Sequence, residues 1–238
     1  MGLYRFYPYR YYALYANSFG ESSEVQDEHG AYLGMKWSPT TKWDVSAYTD
    51  FAYFVWPKYG TDGSTYSADT QLQVTFRPSD KLTFLGRYRY KDKQGTVSQR
   101  ARLSCSFANQ TWNLRTQCDV SLSQDEERSR GWMLSQIVGF QHAWLRLHAN
   151  LGYFHTDDYA SRVYGYESGL LYTLSQGSYF GQGVRYALVA KADVNKHLVV
   201  IGKLGVTDYF DRNHISSGLQ QINKSSQSDL EMQIKWKW

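Results

Sequence analysis

The sequence predicts an all-β chain folded as a transmembrane antiparallel up-and-down β-barrel of about 14 strands. Three observations carry that expectation. Apolar and polar residues alternate with period 2 along most of the 238 residues, as strands with one apolar and one polar face require. Short turns (38–42, 78–81, 108–111, 141–143, 195–197) alternate with long polar loops (18–30, 57–67, 91–97, 123–130, 210–227), the sorting of a barrel with tight turns at one rim. Tryptophan gathers at strand ends. Trp37, Trp43, Trp112, Trp144, Trp236 and Trp238 lie beside short turns or the C-terminus, and Trp56 and Trp132 beside long loops, as in the aromatic girdles that flank an apolar band.

Composition is consistent with this class. The chain has 21 Tyr, 8 Trp and only 4 Pro, and its mean hydropathy is −0.56. No run approaches the ~18 apolar residues of a spanning helix, so a membrane protein of this composition has to cross with a closed sheet. The length suits one all-β domain covering 1–238. The net charge of +4 is small for this length and indicates no particular partner, nucleic acid included. Met1-Gly2-Leu3-Tyr4-Arg5 lacks the basic-then-apolar pattern of a secretory signal, so a mature or truncated form is expected.

Taken in order, the first run, 3–16, is tyrosine-rich and holds Pro8, which marks a bulge or an edge. In 31–37, Ala31, Leu33, Met35 and Trp37 share a face; in 43–56, Trp43, Val45, Ala47, Phe51 and Tyr53 oppose Asp44, Ser46, Tyr48 and Asp50. Strand 70–77 sets Leu72, Val74 and Phe76 against Gln71, Gln73 and Thr75, and the next sets Phe84, Tyr88 and Tyr90 against Arg87, Arg89 and Lys91. In 100–107, Arg100, Arg102, Ser104 and Ser106 alternate with Ala101, Leu103, Cys105 and Phe107. From Trp112 on, Leu114, Cys118 and Val120 oppose Arg115, Gln117 and Asp119. Strand 132–140 is less regular, and 145–153 puts Arg146, His148 and Asn150 on its polar side. The region 155–181 is ambiguous. Both termini fall at one rim only if 162–175 is split into two strands near Glu167-Ser168-Gly169, giving 14 strands; unsplit, it gives 13. The last strand, 228–238, alternates without a break and ends on Trp236 and Trp238.

In a soluble barrel the charged face would point to solvent; in a membrane it would line the lumen. The lumen candidates are Arg87, Arg89, Arg100, Arg102, Arg115, Asp44, Asp50 and Asp119. The arginines could favour anionic solutes, or pair with the aspartates and fill a narrow barrel. If the 108–111 turn aligns Phe107 with Trp112, Cys105 and Cys118 share the lipid side four residues apart along the ladder. That is roughly 13 Å, too far for a disulfide.

The runs H-T-D-D-Y-A-S-R-V-Y-G-Y-E (155–167), G-Q-G-V-R-Y (181–186) and D-R-N-H-I-S-S-G-L-Q-Q-I (211–222), with the closing strand, resemble the C-terminal barrel of a Bacteroidetes outer-membrane family. Members often carry an N-terminal helix-hairpin-helix segment, to which nothing here is similar. The resemblance implies a bacterial outer-membrane location, the lipid bilayer and lipopolysaccharide as surroundings, and recognition of the terminal aromatics Trp236 and Trp238 by the barrel-assembly machinery. It also implies that 1–238 could be the C-terminal part of a larger barrel.

Catalytic patterns are thin. His155, Asp157 and Asp158, and separately Asp208, Asp211 and His214, fall at strand-to-loop junctions, loosely like the water-activating rim of an omptin-like protease. The plainer reading is that such residues cap and solvate. The six histidines show no metal-ligand spacing, and no motif requires a cofactor. The expectation is a non-enzymatic barrel with a transport, pore or structural role, passing small polar or anionic solutes. The alternatives are a rim-active hydrolase and a soluble β-barrel binding an apolar ligand.

Overall fold

A computed structural model describes residues 1–13, 18–22, 25–125, 127–173, 176–236 and 238. The end of the first predicted run (14–16) and Lys237 of the closing alternation lie outside the described residues. Among the described residues there are fourteen strands: β1 Gly2–Tyr7, β2 Glu28–Thr40, β3 Trp43–Phe54, β4 Thr65–Ser79, β5 Leu82–Lys93, β6 Thr96–Ala108, β7 Trp112–Gln124, β8 Arg128–His142, β9 Leu145–Thr156, β10 Val163–Tyr166, β11 Gln176–Tyr179, β12 Gln182–Asp193, β13 Leu198–Tyr209 and β14 Ser226–Trp236. Among the described residues there is no α-helix; Gly218–Gln220 forms one 3-10 turn.

Twelve strands form one antiparallel up-and-down sheet, in the order β1 to β9 and then β12, β13 and β14. Strands β10 and β11 pair only with each other. This corrects the sequence expectation for 162–175: the split near Glu167-Ser168-Gly169 does not give two spanning strands, since β10 ends at Tyr166 just before it and the second short strand, β11, begins only at Gln176. Each is four residues long, and Val163 and Tyr179 turn onto Met133 of β8 and Phe154 of β9 instead of extending the sheet. Because neither β10 nor β11 joins the sheet, its strand count stays even; β14 ends beside a short turn, while β1 covers only the half of β2 nearer the long connections, with Gly2 facing Leu33.

Three further expectations need correction. The first run stops at Tyr7, where Pro8 cannot donate to the ladder and its carbonyl accepts from Tyr11 N–H at 2.9 Å. The predicted loop 91–97 shrinks to Gln94-Gly95, whose φ values of 57° and 88° are those of a primed hairpin turn. The predicted loop 123–130 shrinks to the three residues between β7 and β8. In both places backbone pairing continues through polar residues past the point where apolar alternation fades. The sorting by end nevertheless holds. Every connection longer than four residues lies at one end (8–27, 55–64, 157–181, 210–225), and none at the other exceeds the four residues 194–197.

Pro39 and Pro78 sit inside strands, each where the pairing register slips (Trp37 to Thr40, Phe76 to Ser79). A bulge is where a residue without an N–H is tolerated in a ladder. Beside those bulges Trp43 stacks on Phe76 at 4.3 Å, and at the neighbouring short turn Trp112 lies 4.9 Å from Phe140.

The polarity of the sheet is inverted relative to a water-soluble protein. In β8 burial alternates strictly, with Ser129, Gly131, Met133 and Ser135 covered and Arg130, Trp132 and Leu134 exposed. Across the sheet the exposed face carries Leu33, Leu103, Leu134, Leu151, Leu188, Leu204 and Leu230; Leu103 is 67% and Leu230 80% exposed. The covered face holds Arg5 (4%), Glu28 (0%) and Lys203 (5%).

Candidate functional site

The covered face is largely polar because period-2 alternation puts every second residue there. From β3 to β7 most of those residues are Arg, Asp, Gln, Ser and Thr, while β8, β9, β12 and β13 add Met133, Phe154, Val189, Val199 and Ile201. Cross-strand register turns the polar ones into rungs. One rung runs Gln73, Arg87, Arg102, Asp119 across β4 to β7; the next runs Gln71, Arg89, Arg100, Ser121. Arg87 therefore faces Arg102 directly, and Arg89 faces Arg100. Like charges directly opposite on one face are destabilising, so something has to offset them.

Carboxylates offset only half. Asp69 accepts from Arg89 Nε at 2.9 Å and again from Nη2. Asp119 accepts from Arg102 Nε at 2.6 Å and from Gln117 Nε2 at 2.6 Å. Among the described residues Arg87 hydrogen-bonds the neutral Gln73 Oε1 alone, through Nε at 2.8 Å and Nη2 at 2.6 Å. Arg100 has no carboxylate among the described residues: its guanidinium lies 4.8 Å from the Tyr164 ring centroid, and its buried Nε makes no hydrogen bond.

Tyr164 belongs to the connection 157–181, which folds back over the polar face and carries β10 and β11. Its docking has three parts. Val163 and Tyr179 pack on Met133 and Phe154, with Tyr209 alongside. Leu170 and Leu171 cover Val189, Val199 and Ile201. Between them Glu167, 3% exposed, accepts from Arg185 Nε at 2.6 Å and Nη2 at 3.0 Å, and from the Tyr179 hydroxyl at 2.9 Å; Lys203 Nζ lies 3.5 Å away. The apolar patches of the covered face are thus the ones the connection needs. Burial alone would raise the Glu167 pKa, but the Arg185 hydrogen bonds and charge, with Tyr179 and Lys203, outweigh it and hold it low. Gly131 makes the close approach possible, since a side chain there would strike the Ser161 carbonyl.

Between this connection and the β5–β7 wall lies a cavity of about 260 Å³, lined by Arg87, Arg89, Arg100, Arg102 and Asp119 from the wall and by Arg162, Tyr164 and Gln176 from the connection. Arg162 donates from Nε to the Tyr164 hydroxyl at 2.8 Å and from Nη1 to the Tyr159 carbonyl at 3.0 Å, and no carboxylate answers it among the described residues.

Five of the eight lumen candidates read from the sequence meet at this cavity. The other three lie elsewhere on the same face. Asp50 binds Arg5 through Nη1 at 2.6 Å, beside the Arg5–Glu28 pair, also at 2.6 Å. Asp44 accepts from Ser38 Oγ at 2.6 Å and from Arg77, close to a short turn. Arg115 Nε donates to Ser106 Oγ at 3.2 Å. All three aspartates pair with an arginine, but only Asp119 pairs with one of the five expected; Asp50 takes Arg5 and Asp44 takes Arg77 instead. Asp69, Arg162, Tyr164 and Glu167 were not foreseen. Asp69 would have been found by extending the polar phase Thr75, Gln73, Gln71 two residues further back. Arg162, Tyr164 and Glu167 depend on a fold-back that periodicity does not encode.

At the rim, Asp158 accepts from Ser129 Oγ at 2.5 Å and from Ala160 N–H at 2.7 Å, and the Ser129 bond leads in pulling its pKa down. Asp157 accepts from Arg130 N–H at 2.9 Å, and Asp211 pairs with Arg212 at 2.9 Å. These are capping and pairing roles. The cysteine register also differs from expectation: Cys105 faces Thr116 and Cys118 faces Leu103. The two thiols are diagonal neighbours two residues apart along the ladder, and both are free.

A scan against protein-family models finds no match, and a search of curated proteins finds none either.

Proposed function

We propose that the chain is a membrane-spanning β-barrel protein of the bacterial outer membrane. Its polar lumen is narrowed by the chain's own connection 157–181, and its role is the restricted passage of small polar solutes. The observation that carries this reading is the inverted sheet. Leucines are exposed on one face of successive strands while arginine, aspartate and lysine are covered on the other. Soluble monomers rarely expose apolar patches beyond a few hundred Å², whereas a barrel wall turns such a face to lipid.

Supporting features agree with it. The longer strands run to 12–15 residues, enough for the ~9–11 that cross a bilayer, with polar ends beyond it. Tryptophans sit at both ends of the exposed face, and the long connections fall at one end. Among the described residues β1 and β14 are not paired with each other. In a bilayer their free N–H and C=O groups would each cost several kcal/mol, so the barrel is closed at those edges, by each other or by strands of a longer chain. The likeness of 155–167, 181–186 and 211–222 to a Bacteroidetes outer-membrane barrel family belongs to the same proposal, with the assembly machinery reading Trp236 and Trp238.

The test is fractionation and gel mobility. The protein should stay with the outer membrane, need detergent to remain in solution, and migrate differently before and after boiling. A monodisperse, detergent-free chain with one mobility would refute the reading.

A further inference from the structure

We propose that the cavity between the β5–β7 wall and the connection 157–181 is a binding site for a small oxyanion, a phosphate or carboxylate group carried by a passing solute. Its occupation latches the connection to the wall. The inference deepens the barrel reading and rests on it only in placing the cavity in the lumen.

The wall supplies two directly opposed arginine pairs, Arg87–Arg102 and Arg89–Arg100, with Asp69 and Asp119 answering one member of each. Among the described residues Arg87 and Arg100 have no carboxylate hydrogen-bonded to them, and Arg162 joins them from the opposite side of the cavity. The Arg100 Nε–H is buried and makes no hydrogen bond. An unpaired buried donor and unrelieved like charge are both unfavourable, and a single oxyanion offsets both. Planar guanidinium forks match the paired oxygens of phosphate and carboxylate, and about 260 Å³ is room for such a group with a small substituent. Chloride is a single spherical atom and cannot present paired oxygens to the fork, so the site discriminates by shape as well as by sign.

The site needs both parts of the chain. Arg87 and Arg100 belong to the sheet, and Arg162 and Tyr164 to the connection. A ligand that contacts both binds only when the connection is docked, and so stabilises docking by mass action. An oxyanion arriving in the lumen thus holds the connection in place, and its departure loosens it.

The experiment titrates inorganic phosphate into the detergent-folded full chain, with chloride at equal ionic strength as reference, and follows calorimetric heat and hydrogen exchange in 157–181. Phosphate should bind and slow that exchange, and chloride should not. Arg100→Gln and Arg162→Gln should each weaken phosphate binding at least tenfold. Arg115→Gln, on the same face but outside the cavity, should leave binding unchanged. Equal responses to phosphate and chloride in the unmodified chain would overturn the site, and need no variant to fold. Arg162→Gln binding as tightly as the unmodified chain would overturn the latch. Sedimentation of the same preparation without detergent tests the membrane reading separately. A chain that stays dissolved there overturns the barrel, while the phosphate result still decides the site.

Discussion

Glu167 holds the folded-back connection by charge. Its carboxylate meets Arg185, Lys203 and Tyr179 in a covered position, and removing one partner of a buried pair costs about 3–5 kcal/mol. Arg185 keeps Asp229, at 2.6 Å, so Glu167→Gln should weaken docking by about 3 kcal/mol, the lower end of that range. Hydrogen exchange confined to 157–181 would register the loss. The pH dependence follows from the lowered folded-state pKa. The stabilisation is complete above the unfolded-state value of about 4.3 and is lost as pH falls through the lower folded value. Docking should therefore be constant from pH 7 to about 5 and weaken only below about 4.3. Loosening between pH 7 and 5 would point to another group. For the cysteines, diagonal cross-strand positions lie about 7–8 Å apart, at or beyond the ~7 Å bridging limit. An unreduced mass with both thiols intact is expected, and an intramolecular disulfide would show that the register at β6–β7 is shifted.

At the scale of elements, the strands and most connections were legible in the sequence, and the exceptions were 91–97, 123–130 and the region 155–181. Strand pairing follows period-2 alternation, so β3, β5, β6, β7 and β14 appear close to where alternation places them. Their ends were misjudged where polar residues carry the ladder on, as at Lys91 to Lys93 and Ser121 to Gln124. The β10–β11 hairpin could not be read from the sequence at all. Its placement depends on Val163 and Tyr179 meeting Met133 and Phe154, contacts between residues distant in the chain. Gly131 gives this element a direct test. A leucine there must displace the Ser161 backbone or the Thr156 side chain, and overpacking of this kind costs about 1–3 kcal/mol. Gly131→Leu should undock the hairpin, raise protease cutting within 157–181, and enlarge single-channel conductance in planar bilayers. Increased cutting with unchanged conductance would mean that the connection does not narrow a lumen.

For the whole molecule, the all-β class, the up-and-down antiparallel order and the polar identity of one face were readable from the chain. Alternation alone is the same in a soluble and in a membrane barrel, so the expectation that the apolar face is outermost rests on the rim tryptophans and the sorted loops; the exposure of the leucines agrees with it. The sorted connections predict an orientation. Impermeant reagents added to whole cells should reach cysteines placed in 55–64 and 210–225, and not in 109–111 or 194–197; the reverse pattern would invert it. The central claim, that the apolar face meets lipid, is tested most directly by spin labels at single cysteines along β8 in a Cys105→Ala, Cys118→Ala background, reconstituted into vesicles. The account predicts that labels at Trp132, Leu134 and Gln136 collide with membrane-dissolved oxygen and not with a water-soluble nickel complex. Labels at Met133 and Ser135, beneath the connection, should be shielded from both. Free access of the nickel complex to position 134 would contradict it.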